Sequence, residues 1–251
     1  LVVYEYPFNE SVRTLLRLER LFERLARLVA REEPVDHHFA LATLFEVMDV
    51  AARADVKSDL LKELDRHRAL LLSYRGNPHI SEAALEDVLR RIDVAFTELN
   101  QANGKTGQAL MGNDWLMGIR SRINIPGGTC EFDLPAYYAW QQYPAKRRQA
   151  DLNRWREALK PLAQALEMLL GLLRDAGVPH KVNCIGGQFQ QGLPTGRAYQ
   201  LLRLRLESAL ELVPEISGHR LMVSVRLMRM DAEGRLRPFT GDAQFEIALC
   251  S

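Results

Sequence analysis

Ser217-Gly218-His219 sets a hydroxyl two residues from an imidazole, the raw material of a nucleophile and its base. The run lacks the G-x-S-x-G elbow that would expose the serine, and no acidic partner is evident. Gly186-Gly187, with Gly192 and Gly196 beyond, could cradle a phosphate, but no G-K-[ST] follows and no helix opens there. Asp36-His37-His38 offers metal ligands. Adjacent side chains at a helix start diverge, however, and no further ligands lie at metal spacing. Asp36 reads better as an N-terminal cap for the helix that follows. Cys130, Cys184 and Cys250 are widely separated with no C-x-x-C, which is neither a disulfide framework nor a zinc site. These patterns predict no catalytic residue, no metal and no cofactor, and an enzyme is not expected.

Arginine is the chemistry that remains. Lysine occurs only at 57, 62, 105, 146, 160 and 181, so arginine supplies 27 of the 33 basic residues. Its rigid fork of donors suits carboxylates and phosphates. Net charge is only +1, which argues against a general polyanion binder. Placement is more telling than number. Arg203 and Arg205 alternate with Leu202, Leu204 and Leu206. Arg220, Met222, Ser224, Arg226 and Met228 alternate with Leu221, Val223, Val225 and Leu227. Period-2 alternation turns these cations and methionines out of a β core, onto a surface suited to an acidic segment.

The elements that must position them follow from periodicity. Residues 10–31 form a helix with Leu15, Leu18, Phe22, Leu25 and Val29 as its apolar stripe and Asn9 as its N-cap. The stripe predicts a core face or a dimer interface. Further helices are expected over Phe39–Ala52, through Leu60 to Leu71, after a Ser81 cap, from Thr106 to Trp115, over Ala136–Gln142, and over Asp151–Ala176 with a break near Lys160 caused by Pro161. Ile119, Ser121, Ile123 and Ile125 alternate with Arg120, Arg122 and Asn124, and Pro126-Gly127-Gly128 follows. That pattern predicts a strand hairpin over 119–132, with Asp133 capping the next helix. Strands are also expected at 181–185, 201–206, 221–228 and 244–249. The resulting fold class is α+β: a mainly α-helical N-terminal domain (1–115 and 136–177) and a small antiparallel β-barrel or sandwich domain (116–135 and 178–251), with chain exchange at the 119–132 hairpin. No apolar run approaches the roughly 18 residues that span a bilayer, and the N-terminus lacks a signal-peptide layout. A cytoplasmic protein without membrane insertion is expected.

The segment IPGGTCEFDLPAYYAW, beginning at Ile125, resembles the signature of the ZapD family. Tyr6-Pro7-Phe8-Asn9-Glu10 with Arg13-Thr14 and Leu16-Arg17 is similar to the family's opening. So are Leu60-Leu61-Lys62-Glu63-Leu64-Asp65-Arg66 to its central helix, and Pro214–His219 and Phe245–Cys250 to its C-terminal blocks. The likeness covers essentially the whole chain; residues 98–115 and 186–200 diverge most. It implies a cell-division factor at the mid-cell division site that binds the C-terminal tail of FtsZ, a short acidic and apolar peptide, and as a homodimer bundles FtsZ filaments. It implies a basic groove where helical and β domains meet, with Arg53, Arg226 and Arg220 at matching positions and Arg17 matching a further family arginine. His219 lies in a matching block, and Arg122 and Arg203 join as outward-facing cations. Met222 stands where some relatives carry arginine, and Asp114 and Tyr138 replace basic residues seen in others. The competing class is a nucleic-acid-binding module using the same arginine face. Its strands lack the aromatic rings on which bases stack, so nucleic acid is not the expected partner.

Overall fold

The computed structural model describes residues 1–52, 56–102, 107–194 and 196–251. The described chain is α+β and divides into two compact units, residues 14–169 and residues 1–13 with 170–251.

The unit of residues 14–169 is helical. Helix α1 (Glu10–Val29) starts where expected: Val12 N–H donates to Asn9 Oδ1 at 2.8 Å. Leu15, Leu18, Leu25 and Val29 are all buried. Of the two roles expected for the stripe, core face or dimer interface, these four side chains take the first, while Phe22 is half-buried. Helix α2 (Pro34–Ala52) opens five residues earlier than the pattern suggested, because Pro34 is pre-set for a first helical position. Asp36 thus lies inside the first turn rather than capping it, where it receives Arg31 at 3.2 Å. Helices α3 (Val56–Leu72) and α4 (Glu82–Gln101) pack together, and Ser81 Oγ accepts from the Ala84 N–H as the expected cap. Short α5 (Gln108–Met111) follows. Residues 158 and 159 separate α8 (Ala145–Glu157) from α9 (Lys160–Asp175), which is the predicted break ahead of Pro161. Thr106 lies outside the described residues.

The hairpin expected over 119–132 is absent. Residues Asp114–Arg122 form helix α6, capped by Asn113, whose side chain accepts from the Leu116 N–H. Leu116 and Ile119 are buried and Ile123 is half-buried. This 3-4 spacing is the helical face that the period-2 reading overlooked. Turns then carry the chain to α7 (Pro135–Gln141): Ile125 N–H donates to the Arg122 carbonyl and Gly128 N–H to the Ile125 carbonyl, each at 2.9 Å. Asp133 does not cap α7; Leu134 holds that position, and Asp133 pairs with Arg122 at 3.0 Å. Residues 116–135 therefore belong to the helical unit, and no β chain is exchanged there.

The other unit holds two open antiparallel sheets rather than a closed barrel. The first has the order β1-β4-β8-β2, from β1 (Val2–Pro7), β4 (Leu201–Leu206), β8 (Ala243–Cys250) and β2 (His180–Cys184). The second has the order β3-β6-β5, from β3 (Gln188–Gly192), β6 (Met222–Met230) and β5 (Leu212–His219), with β7 (Leu236–Pro238) also on β6. The amino-terminal strand β1, together with β3, β5 and β7, was not foreseen. Leu202, Leu204, Leu206, Phe245 and Ile247 of the first sheet share one core with Val223, Val225 and Leu227 of the second. Each such fully buried side chain contributes about 1.5–3 kcal/mol. Outward arginine is the other half of that pattern.

Candidate functional site

Strand β6 is the centre of the second sheet, so its outward side chains have a neighbour on both sides. Directly paired residues of antiparallel strands point to the same face. Register therefore sets three outward rows: Gln188, Arg226 and Glu215; Gln190, Ser224 and Ser217; Gly192, Met222 and His219. Val225 and Val223 face the core between them and are buried. The β5–β6 turn adds Arg220 and Leu221, both exposed, and the Leu221 N–H donates to His219 Nδ1 at 3.3 Å. Leu221 and Met222 are 49% and 37% exposed, an apolar edge beside the cations. Among the described residues, the Arg226 and Arg220 side chains make no hydrogen bond or ion pair. The expected outward row ends early, since Met228 is buried. The rows carry no aromatic ring besides the His219 imidazole.

The first sheet treats its arginines differently. Arg203 lies opposite Glu5 on β1, and its Nε donates to Glu5 Oε1 at 3.0 Å. Arg174 of α9 grips the same carboxylate with two bonds, at 2.8 and 2.7 Å. Burial alone would raise the Glu5 carboxyl, but the hydrogen bonds and charges of Arg174 and Arg203 together hold it below the usual carboxylate range. Arg205 lies opposite Glu246 at 3.7 Å.

Of the residues singled out in the sequence, Arg226, Arg220, His219 and Arg203 fall in this unit, the first three together on one sheet. Arg17 and Arg122 fall in the helical unit. Arg17 is exposed on α1, and Arg122 is engaged by Asp133. Arg53 lies outside the described residues. Glu215, Gln188 and Gln190 were missed, although Glu215, Ser217 and His219 alternate in sequence and could have been read as one face of a strand.

The histidine pair of α2 is fully committed to structure. His37 Nε2 donates to the Arg31 carbonyl at 2.8 Å, and His37 Nδ1 accepts from Arg148 Nε at 2.9 Å. Arg148, almost wholly buried, also donates to the carbonyls of Gln141, Tyr143 and Glu32. Burial holds the His37 pKa below its ordinary value, with the Arg148 charge adding to the effect, against the opposing pull of the Arg31 carbonyl and Asp36. A neutral imidazole is what Arg148 needs there. His38 Nδ1 meets the Tyr137 hydroxyl at 2.8 Å, in a cluster where Trp115 stacks on Trp155 with ring centroids 5.3 Å apart. Among the described residues, no group of histidine, cysteine and carboxylate side chains could hold a metal ion, and no helix is long and apolar enough to cross a membrane.

The molecule is thus an α+β protein whose open chemistry is a cationic sheet face edged by apolar side chains. The sequence model of the ZapD family, described as a cell division protein, matches residues 16–226. Over its full length the chain is 52% identical to the cell division protein ZapD of Ralstonia pickettii (strain 12J) and 50% identical to that of Ralstonia nicotianae (strain ATCC BAA-1114 / GMI1000), with all of each relative covered. The chain belongs to the ZapD family of cell division proteins.

Proposed function

We propose that this chain is a non-enzymatic, cytoplasmic division factor that binds the C-terminal tail of FtsZ and, as a homodimer, cross-links FtsZ filaments at mid-cell. The observation that supports the tail-binding reading most is Arg226. It is exposed at the centre of a sheet, unpaired among the described residues, and two rows from an exposed methionine. A guanidinium so placed takes a carboxylate of an acidic peptide, while Met222 and Leu221 take an apolar side chain beside it. Arg220 and His219 extend the same surface. Each contact is weak alone; a dimer presenting two surfaces to repeated tails gains by avidity.

Co-sedimentation with full-length FtsZ, set against tail-deleted FtsZ, tests this reading. Wild-type protein should pellet with the first and not with the second. Arg226→Glu should abolish pelleting while keeping the wild-type melting curve, because the side chain lies outside the core. Equal pelleting of tail-deleted filaments would move the binding surface elsewhere on FtsZ, and retention by Arg226→Glu would remove it from this sheet.

A further inference from the structure

The last residue of β5 and the β5–β6 turn together carry three of the proposed contact residues, yet β5 is an edge strand. Edge strands lack a neighbour on one side, and their ends fray unless something holds them. Gly218 immediately precedes His219, the last residue of β5. Its N–H donates to the Tyr6 hydroxyl oxygen at 3.1 Å, and the same hydroxyl donates to the Gly218 carbonyl at 3.3 Å. A residue's N–H and C=O lie on one side of a strand, so a single hydroxyl stands in for the missing neighbouring strand. Side-chain packing supports the same point. A Cβ at Gly218 would lie 2.7 Å from Phe8 Cε1, so the Phe8 ring occupies the space that any other residue would need. Tyr6 and Phe8 meet edge to face, with centroids 5.6 Å apart.

We propose that the Tyr6 hydroxyl is a positioning group for partner binding: it fixes the end of β5 and thereby the places of His219, Arg220 and Leu221. This rests on the tail-binding reading above. Tyr6 touches the glycine and not the partner, so its effect runs through the turn. The hydroxyl also occupies the outward backbone groups of Gly218. A partner peptide therefore cannot add as a strand along β5 at that point and must lie across the outward rows instead.

The test compares Tyr6→Phe with Tyr4→Phe, the same change on the same strand and face, in the full chain. Two readouts are taken: amide exchange at Gly218 and Leu221 in the free protein, and affinity for a fluorescein-labelled FtsZ tail peptide. Tyr6→Phe should speed exchange at both amides by about tenfold and weaken peptide binding about 3- to 10-fold, with β1 still paired and the melting temperature nearly unchanged. Tyr4→Phe should alter neither readout. If Tyr6→Phe leaves Leu221 exchange unchanged, or binds the peptide as well as wild type, the positioning role is overturned and the tail-binding reading survives. If wild-type protein does not bind the peptide, the tail-binding reading falls, and the positioning role falls with it.

Discussion

The two sheets of one unit set arginine opposite glutamate in register, and the pairs meet different fates. Arg203 and Glu5 bond at 3.0 Å, with the carboxylate side chain only 13% exposed. Arg205 and Glu246, each about a third exposed, stand at 3.7 Å. Arg226 and Glu215 are both exposed and form no ion pair among the described residues. Water decides the series. Solvated charges gain little from pairing and lose side-chain entropy, whereas a partly dehydrated carboxylate must be satisfied or it costs stability. Register alone therefore does not make a salt bridge. The first sheet uses arginine to hold itself together, and the second leaves Arg226 without an ion pair among the described residues.

The largest effect that would sharpen this contrast is on stability. Glu5→Ala strands Arg174 and Arg203 together without their carboxylate, and should destabilise the protein by about 3 kcal/mol, read by urea denaturation. Arg203→Ala should lose less stability and leave tail binding within about twofold of wild type. Tail affinity equal to that of Arg226→Ala would show that the two faces do not differ in role. Next in size is Arg226→Ala, which removes a charge-assisted contact of about 1.5–3 kcal/mol. It should weaken the tail complex roughly 10- to 100-fold by titration calorimetry, with no change in the urea midpoint.

Acid titration separates the two units by a different means. His37 has a folded pKa below its ordinary 6.5, so its stabilising contribution is complete above pH 6.5 and is lost as pH falls through the lowered value. Glu5 also has a depressed folded pKa, so its contribution is complete above 4.5 and is lost only as pH falls further. The helical unit should soften first. Trp115, Trp140 and Trp155 all lie in it, so tryptophan fluorescence should move at a higher pH than the amide protection of β1 and β4. Simultaneous loss would show that neither group governs its unit. The smallest expected effect belongs to Glu215→Gln. It removes the carboxylate opposite Arg226, which repels an acidic peptide, and should tighten the tail complex about 2- to 5-fold. Weaker binding instead would mean that Glu215 holds Arg226 in place.

Much of this was legible from sequence where one period dominates. The helical period of α1, the Ser81 cap, the break before Pro161 and the alternation in β4 and in β6 as far as Leu227 are each found; the alternation fails at Met228, which is buried. Residues 119–125 failed because they satisfy two periods at once. Ile119, Ile123 and the earlier Leu116 fit a helix, while Ile119, Ser121, Ile123 and Ile125 fit a strand. Asn113 ahead of Asp114 was the cap signal that could have decided the matter. Within the site, outward arginine was readable from alternation. The difference between Arg203 and Arg226 was not, because Glu5, which Arg174 also holds, reaches Arg203 from a distant part of the chain. Register between β5 and β6 likewise had to be seen before Glu215 could be placed beside Arg226.

The pairing of β1 has a consequence during synthesis. Val2 pairs with Leu206, and Tyr6 meets Gly218 at a separation of 212 positions. At about 5–20 residues per second, roughly 10–40 s pass between the ribosome's release of Tyr6 and its release of Gly218. Until residues 201–206 follow, Val2, Val3, Tyr4 and Tyr6 have no strand to pair with, while the contiguous helical unit of residues 14–169 emerges whole. β1 is thus made early and its partner strand late. β1 should therefore dock late, once β4 has emerged to pair with it.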